Sequence, residues 1–288
     1  MAGASCTRLS IVILTSDWSP ILARTLESVK DLGDELLLYD SGSSNDVREA
    51  AKTYGARVIR GEWRSYGETR KRACLSARND WILAIDSDEV LDDMLRRSIA
   101  QVDLGDARTA YSVRFRSFIG NKEIRHGEWG HQSHIRLANR NAVTLEARIV
   151  HEGVVLHPGV RVKTLKGSVL HYTARNIGEY SRKMLRYAGL SADKYRREGR
   201  RFSGPRLFLS PPFSFLRNYV LRLGFLDGWE GFLCAAMSSW YAFLKYACVW
   251  EGCGEGVRDC GHSAGVHVPE EMARRTQLLA EGASGRVR

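Results

Sequence analysis

The sequence predicts an α/β fold with a mostly parallel central sheet and helices on both of its faces. Over residues 9–85, short apolar runs of strand length alternate with amphipathic stretches of helix length. Several of these apolar runs end in a cluster of small polar residues. Such alternation is typical of parallel strands joined by crossover helices. Ligands of such sheets bind at the carboxyl ends of the strands.

The individual elements follow from hydrophobic periodicity and end signals. Strands are predicted at 9–14, 35–39, 57–59 and 81–85, and helices from residue 20 and over 47–54 and 66–77. The first helix has Ser19 as its N-cap and Pro20 in its first turn, where proline is favoured. Gly55 is expected to end the second helix, since glycine readily takes the left-handed conformation found there.

The polar clusters at the strand ends are the candidate ligand-binding groups. Asp86 and Asp88 follow a buried strand and project from the same side of it, so that together they can hold a hard divalent cation on nucleotide phosphates. A solvated turn is the alternative. In the cluster after the second strand, Asp40 can accept a hydrogen bond from a base N–H or cap the next helix as an Asx-turn.

Eight sequence segments carry a resemblance to a known family. They are LSIVILT, LLLYDSGSSND, WRSYGETRKRA, DWILAIDSDEVL, RHGEWGHQSHIRL, IVHEGV, VLHYTARNIGEYSRKML and FLRNYVLRLGFLDGWEGFLCAAMSSWYAFLKY. Over roughly residues 8–251 the chain resembles the family 2 glycosyltransferases, which have the GT-A (nucleotide-diphosphosugar transferase) fold. More narrowly, it is similar to the lipopolysaccharide core β-1,4-glucosyltransferases.

The resemblance implies roles for the first three polar clusters and for one arginine. Thr15 and Asp40 would lie on the nucleobase side of the donor. Asp17 stands where the family usually has Asn, and Trp18 follows it in place of Glu. Arg70 would bind the donor phosphate or sugar, the alternative being a solvated basic face. Asp86 and Asp88 would bind ribose and a Mg or Mn ion.

Beyond Glu89 the pattern changes to alternation of polar and apolar residues. Residues 110–118, 134–138 and 160–172 alternate in this way, which predicts antiparallel, half-exposed strands forming the acceptor half of the cleft. Trp129 and His131 are candidate acceptor contacts, although Trp129 can equally be a packing residue. His171 ends an apolar run and is a candidate third metal ligand, or a satisfied rim histidine.

Transfer with inversion needs a base that removes the proton of the acceptor hydroxyl. Glu152 is the candidate, because a carboxylate that follows a strand and precedes Gly153 can point into the cleft, and the family resemblance places such a residue there. An ordinary surface glutamate is the alternative. Glu128 and Glu146 are the rival carboxylates. His151 is expected to orient Glu152 rather than to react.

The last third of the chain contains features that bear on where the protein lies in the cell. Residues 182–206 contain nine Lys or Arg against two acidic residues, a net +7 within the formal +10 of the whole chain. An aromatic stretch follows at 213–250, where the longest uncharged run is 14 residues, shorter than the roughly 20 needed to span a bilayer. We expect an amphipathic helical hairpin that packs on the catalytic domain or lies in an anionic membrane interface.

Other signals favour the cytosol. The N-terminal residues lack the pattern of a signal peptide, and Ala2 excludes N-myristoylation. Six irregularly spaced cysteines suit reduced thiols. The expected organisation is a catalytic domain at 1–175 (donor half 8–105, acceptor half 106–175), a basic and amphipathic helical segment at 176–251 and a loose tail at 252–288.

The function expected from the sequence is inverting, metal-dependent transfer of a hexose onto a lipopolysaccharide inner-core sugar. The resemblance implies UDP-glucose as the donor, a lipid-linked glycan as the acceptor and no nucleic-acid partner. A related alternative has a polyprenyl phosphate or another surface glycan as acceptor. Two other classes stay open: a haloacid-dehalogenase-like phosphatase, because residues 86–90 also fit its motif, and a non-enzymatic basic binding module.

Overall fold

The structure is a computed structural model that describes residues 8–42, 46–130, 132–146 and 153–252. Its first part alternates strands and helices in the expected order. The elements are β1 Leu9–Thr15, α1 Pro20–Val29, β2 Glu35–Asp40, α2 Asp46–Thr53, β3 Arg57–Arg60, α3 Tyr66–Leu75 and β4 Trp81–Asp86. Ser19 caps α1 by accepting a hydrogen bond from the backbone N–H of Leu22 at 3.1 Å. Gly55 follows α2 with a φ of 63°.

The second part consists mainly of strands, followed by helices. The strands and the short helix among them are β5 Glu89–Leu91, α4 Asp93–Ala100, β6 Thr109–Ile119, β7 Lys122–Ile124, β8 Ser133–Asn139, β9 Val143–Glu146, β10 Gly153–Leu156 and β11 Arg161–Ala174. A 3₁₀ turn, Gly127–Trp129, lies between β7 and β8. Strands β9 and β10 pair with each other in a small separate sheet.

The main sheet is mixed, with the strand order β3-β2-β1-β4-β8-β6-β11-β5 and β7 paired to β6. Strands β3, β2, β1 and β4 are parallel, as the sequence predicts. The expectation of a mostly parallel sheet is wrong for the other half, because β8 is antiparallel to both β4 and β6. The expectation of purely antiparallel strands is also wrong there, because β6 and β11 are parallel. Alternation of polar and apolar residues indicates that one face of a strand is buried, but it does not indicate whether the strand runs parallel or antiparallel to its neighbours.

The hydrophobic core extends along the main sheet, from the parallel strands to β6, β8 and β11. Every residue of β1 and of β2 is buried. The fully buried side chains include Trp81, Leu83 and Ile85 of β4 and Leu137 of β8. Two buried clusters contain most of the apolar residues of these strands, together with residues of α1 and α3. This buried frame fixes the positions of the strand ends that carry the polar clusters.

The C-terminal helices are α5 Ile177–Arg197, α6 Gly204–Leu216 and α7 Gly228–Glu251. A π-helical turn, Arg217–Leu221, and a 3₁₀ turn, Gly224–Asp227, join α6 to α7. Helix α7 packs against both α5 and α6. Its Gly231 is needed for close packing, since a Cβ there would lie 1.8 Å from the carbonyl oxygen of Gly224.

One helix in the described part of the chain, residues 224–251, is long and apolar enough to cross a membrane by length and composition. The sequence-based expectation that this stretch is too short counted only its longest uncharged run. A few charged residues are compatible with the length and composition of a spanning helix. The same criteria are also met by core helices of soluble proteins.

Candidate active site

The three polar clusters meet at one edge of the sheet. In the parallel register Thr15 lies beside Asp40, and Leu14 lies beside Asp86. The backbone N–H of Ser41 donates to the carbonyl of Thr15 at 2.9 Å, joining the loops after β1 and β2. Gly42 permits this approach, because a Cβ there would lie 1.7 Å from the carbonyl oxygen of Ser16. The carboxyl ends of β1, β2 and β4 therefore form one polar rim.

Asp40 has an incompletely satisfied carboxylate at this rim. Its side chain is fully buried, and its Oδ1 accepts a hydrogen bond from the backbone N–H of Gly42 at 2.9 Å, the Asx-type contact considered above. Within the described residues its Oδ2 has no hydrogen-bond partner and lies 3.9 Å from Nε of Arg60. A buried acceptor without a donor is costly. Oδ2 is thus a buried acceptor whose hydrogen-bonding capacity the described residues leave unfilled.

Thr15 and Asp17 form the other side of the same loop pair. The hydroxyl of Thr15 is buried and donates to the backbone carbonyl of Asp17 at 2.9 Å. The carboxylate of Asp17 is exposed and accepts from the backbone N–H of Trp18 at 2.8 Å. Thr15 shapes the loop, whereas Asp17 lies at the surface.

Asp86 lies between two arginines. Arg70, on α3, binds one carboxylate oxygen, and Arg136, on β8, lies 3.3 Å from the other. Burial acts against the charged form of Asp86, but the two guanidinium groups outweigh it and hold its pKa well below the usual range. Arg70 also donates to the Tyr66 hydroxyl at 2.9 Å. Asp86 is therefore an ionised anchor that orients two cations.

Glu89 is the fourth charged member of this cluster. It is 1 % exposed, binds Arg136 through one oxygen and accepts from the backbone N–H of Asp86 at 3.1 Å through the other. Burial raises the pKa of Glu89 to about 7. Sequence reasoning missed both Glu89 and Arg136. The sequence does contain an indication for Arg136, because it is a single charged residue between the apolar Ile135 and Leu137.

Asp88 and His171 lie side by side at the open edge of the cluster. His171 Nε2 is 3.4 Å from Asp88 Oδ2, and the backbone N–H of Tyr172 donates to the carbonyl of Asp88 at 2.9 Å. Burial raises the pKa of Asp88, yet the nearby His171 makes the net shift downward. Burial lowers the pKa of His171, and Asp88 makes its net shift upward. The structure thus brings together two residues predicted from sequence as metal ligands.

The Asp88–His171 pair is chemically suited to a divalent ion on a nucleotide. Within the described residues no group of three or more His, Cys, Asp and Glu side chains is placed to hold a metal. Two protein ligands suffice where substrate phosphates supply further oxygens, as is usual for Mg²⁺. Imidazole and carboxylate together also suit transition metals such as Mn²⁺. Asp86, the other predicted metal ligand, is paired with Arg70 and Arg136.

Lys183, which the sequence did not single out as a site residue, borders this pair. Its ammonium group donates to the backbone carbonyl of Thr173 at 3.3 Å, and the Thr173 hydroxyl is 3.4 Å from Nδ1 of His171. Its charge also favours the ionised form of Asp88, although less than His171 does. One turn further along α5, Arg186 lies over the Trp63 ring at 5.7 Å. Helix α5 thus places Lys183 and Arg186 near the candidate active site.

The acceptor-side candidates are only partly described. Trp129 is half-buried and packs edge-to-face on Tyr180 of α5, with ring centroids 5.1 Å apart. Glu128, a rival base, accepts a hydrogen bond from the hydroxyl of Ser238 at 3.0 Å. His131, His151, Glu152 and the side chain of Glu146 lie outside the described residues.

The fold and this rim define a nucleotide-dependent transferase, and comparison with known proteins identifies the family. Residues 10–156 match the model of Glycosyl transferase family 2, and the chain belongs to that family. It is a glycosyltransferase with a GT-A-like fold. This finding excludes the phosphatase and the non-enzymatic module as descriptions of the chain.

Relatives support the same assignment. The chain is 28% identical over 251 residues to an uncharacterized glycosyltransferase of Rickettsia typhi, covering 83% of this chain and 86% of the relative. A similar protein of Rickettsia bellii is 26% identical over 250 residues, covering 83% and 85%. A glucosyl-3-phosphoglycerate synthase structure from Mycobacterium tuberculosis, in complex with Mn²⁺, UDP and glucosyl-3-phosphoglycerate, is similar over 40% of this chain and 45% of its own, with 22% identity and a TM-score of 0.32.

Proposed function

We propose that the protein transfers a hexose, glucose from UDP-glucose, with inversion onto an inner-core sugar of lipopolysaccharide, and that it uses Mg²⁺ or Mn²⁺. The observation that carries this proposal is the Asp88–His171 pair, 3.4 Å apart, at the sheet edge where Asp40 and the Asp86 cluster also meet. The Asp40 carboxylate is an acceptor for the nucleobase. The metal-binding pair and the nearby cations suit the diphosphate of a nucleoside diphosphate sugar.

On the donor side, each group has a chemical task. Oδ2 of Asp40, which lacks a hydrogen-bond partner within the described residues, accepts the imide N–H of uracil. Thr15 and Asp17 form the adjoining loop. Asp86 binds the ribose while it orients Arg70 and Arg136 toward the negatively charged diphosphate. Asp88 and His171 would hold the ion, which offsets the charge that develops on the departing UDP.

On the acceptor side, Glu152 is the proposed general base. Its carboxylate takes the proton of the acceptor hydroxyl as the hydroxyl oxygen bonds to the anomeric carbon. The bond between that carbon and the diphosphate oxygen breaks on the opposite face, so the configuration inverts. Trp129 and His131 are the proposed acceptor contacts.

We also propose that the acceptor is lipid-linked and that the protein attaches peripherally to the cytoplasmic leaflet. Large apolar side chains are exposed along α6, the connecting turns and the start of α7, among them Phe208 at 74 % and Trp229 at 78 %. Exposed apolar surface of this extent marks an interaction site. The neighbouring basic residues of α5 suit an anionic lipid surface.

Thermal-shift binding of UDP, GDP, ADP and dTDP sugars, with and without Mn²⁺, tests the donor site. We expect stabilisation by the UDP sugar that requires Mn²⁺ and is lost in Asp88→Ala, because a ligand that binds only the folded state raises its stability. Asp31→Ala, at an exposed loop position, is the matched control and should behave like the wild type. Absence of any metal-dependent shift in the folded wild-type protein would overturn the proposal.

A further inference from the structure

A cavity of about 400 Å³ lies between the segment after β7 and the turn that joins the C-terminal helices. It is lined by His126, Gly127, Glu128, Gly130, Leu221, Arg222 and Leu223. Its volume is within the range of small-molecule sites. The lining combines an imidazole, a carboxylate and a guanidinium group with two apolar side chains. This cavity is separate from the Asp88–His171 pair and is not used by the donor chemistry described above.

The polar wall of the cavity is built by a buried carboxylate. Asp227 is 8 % exposed and accepts hydrogen bonds from the backbone N–H groups of Arg125 and His126 at 3.0 and 2.8 Å. Its other oxygen lies 2.9 Å from Nδ1 of His126. Because Asp227 holds Nδ1, the ring nitrogen left for a ligand is Nε2. The imidazole is therefore fixed in orientation before any ligand binds.

Behind this wall, Asn218 is a buried amide with unused hydrogen-bonding capacity. It is 2 % exposed, and neither its Nδ2 nor its Oδ1 has a hydrogen-bond partner within the described residues. It lines a small enclosed space of about 10 Å³ that shares His126, Gly127 and Glu128 with the larger cavity. This space can hold about one water molecule. Such a water would connect Asn218 to a ligand in the cavity.

Leu221 and Leu223, which line the cavity, are also part of the apolar surface that is exposed along the C-terminal helices. Leu221 is 67 % exposed and Leu223 is 46 % exposed, and the nearby Phe225, Leu226 and Trp229 are exposed as well. Leu223 has a φ of 58°, and it is the one non-glycine residue with positive φ in the described part of the chain. Such a backbone conformation is uncommon for a non-glycine residue and is a recurrent feature of functional sites. The cavity is thus polar inside and apolar at its entrance.

The cavity is also connected to the candidate active site through α5. Trp129, next to Glu128 of the cavity, packs on Tyr180. Lys183 is three residues further along the same helix and binds the carbonyl of Thr173, beside His171. Helix α5 therefore contacts both the segment that lines the cavity and the strand that carries His171.

We infer that this cavity binds the polar headgroup of the amphiphilic acceptor, with the acyl or prenyl chain leaving between Leu221 and Leu223 into the lipid. Arg222 and His126 suit a phosphate of such a headgroup, and Glu128 suits its sugar hydroxyls. The inference deepens the proposed function and rests on its lipid-linked acceptor. It predicts that the acceptor enters sideways from the membrane surface.

Blocking the mouth tests the inference. Leu221→Trp fills the entrance, and Leu209→Trp is its matched control, since Leu209 is equally exposed at 67 % on the same apolar surface but does not line the cavity. Transfer of labelled glucose from UDP-glucose to vesicles of bacterial envelope lipid is measured with both variants. We expect KM for the lipid to rise about tenfold in Leu221→Trp only, with KM for UDP-glucose and vesicle binding unchanged. Equal effects of both variants would overturn the inference.

A second measurement does not need turnover. Leucine-methyl NMR of the full chain follows Leu221 and Leu223 during titration with octyl glucoside or dodecyl phosphate below their micelle concentrations, with Leu209 as the reference. Shifts confined to Leu221 and Leu223, lost in Arg222→Gln or His126→Ala, support the headgroup site and show which head is preferred. Shifts shared by Leu209 would mean general adsorption and contradict it. This readout stands even where UDP-glucose fails to bind, a result that would count against the proposed function alone.

Discussion

At the scale of single residues, the candidate site depends on how buried charges are paired. Arg136 contacts both Asp86 and Glu89, and all three side chains are largely buried. A buried charge that loses its partner is strongly destabilising, whereas an exposed pair contributes little. Arg136 is therefore expected to stabilise the fold as well as the donor site.

Replacement of Arg136 by methionine should lower the free energy of unfolding by about 3–5 kcal/mol, since two carboxylates lose their shared cation. Arg140→Met is the comparison, because Arg140 pairs with Asp80, whose side chain is 55 % exposed, and it should cost about 1 kcal/mol or less. Urea unfolding followed by circular dichroism measures both. A similar decrease in the free energy of unfolding in both variants would show that the buried ion pairs of Arg136 contribute no more than an exposed pair.

Glu123 allows a residue-scale prediction about pH. Two hydrogen bonds from Arg116, at 2.9 and 2.8 Å, together with Arg125, lower the pKa of Glu123 from 4.5 to about 2. A lowered pKa in the folded state means stability that is present above pH 4.5 and lost as pH falls toward 2.

We expect Glu123→Gln to reduce the free energy of unfolding by about 1 kcal/mol at neutral pH, and the difference to shrink as pH falls toward about 3. Glu62→Gln, at a carboxylate that is 80 % exposed, is the control and should show no such trend. Urea titrations across this pH range measure both. A constant difference at all pH values would contradict the assigned ion pairs.

At the scale of elements, the sequence was informative where local patterns decide the structure. The alternation of buried runs and amphipathic stretches predicted β1 to β4, and the polar residues after them do form one rim. The antiparallel direction predicted for β8 is confirmed, but the parallel pairing of β6 with β11 was not predicted, because alternation is the same for parallel and antiparallel strands. Arg136 and Lys183 were missed for a related reason: their roles depend on contacts between elements far apart in sequence.

Helix α5 carries the next prediction. Lys183, beside the Asp88–His171 pair, should contact the diphosphate of the donor, so Lys183→Met is expected to raise KM for UDP-glucose about tenfold. Lys194→Met lies three turns further along the same helix, pairs with Glu198 at 3.9 Å and should leave KM unchanged. Steady-state kinetics at saturating acceptor measure both variants. Equal KM values in Lys183→Met and the wild type would remove Lys183 from the donor site.

At the scale of the whole molecule, charge and apolar surface are concentrated in the same third of the chain. Residues 182–206 carry a net +7 of the formal +10. The apolar side chains exposed on α6, the connecting turns and α7 follow directly in sequence. Basic residues attract an anionic leaflet over about a Debye length, and apolar side chains supply the short-range contact. For the proposed peripheral attachment, neither feature alone would be sufficient, and the two together would be.

Flotation with anionic liposomes tests this combination. The wild-type protein should float with phosphatidylglycerol vesicles at low salt and be partly released as salt rises, because exposed charges are screened. The double variant Phe208→Asp/Trp229→Asp should stay unbound, since two carboxylates replace the most exposed rings. Leu75→Asp on α3, at a side chain that is 63 % exposed and outside the C-terminal helices, should float like the wild type. A wild-type protein that stays unbound at low salt would rule out membrane attachment and require an acceptor that leaves the membrane to reach the enzyme.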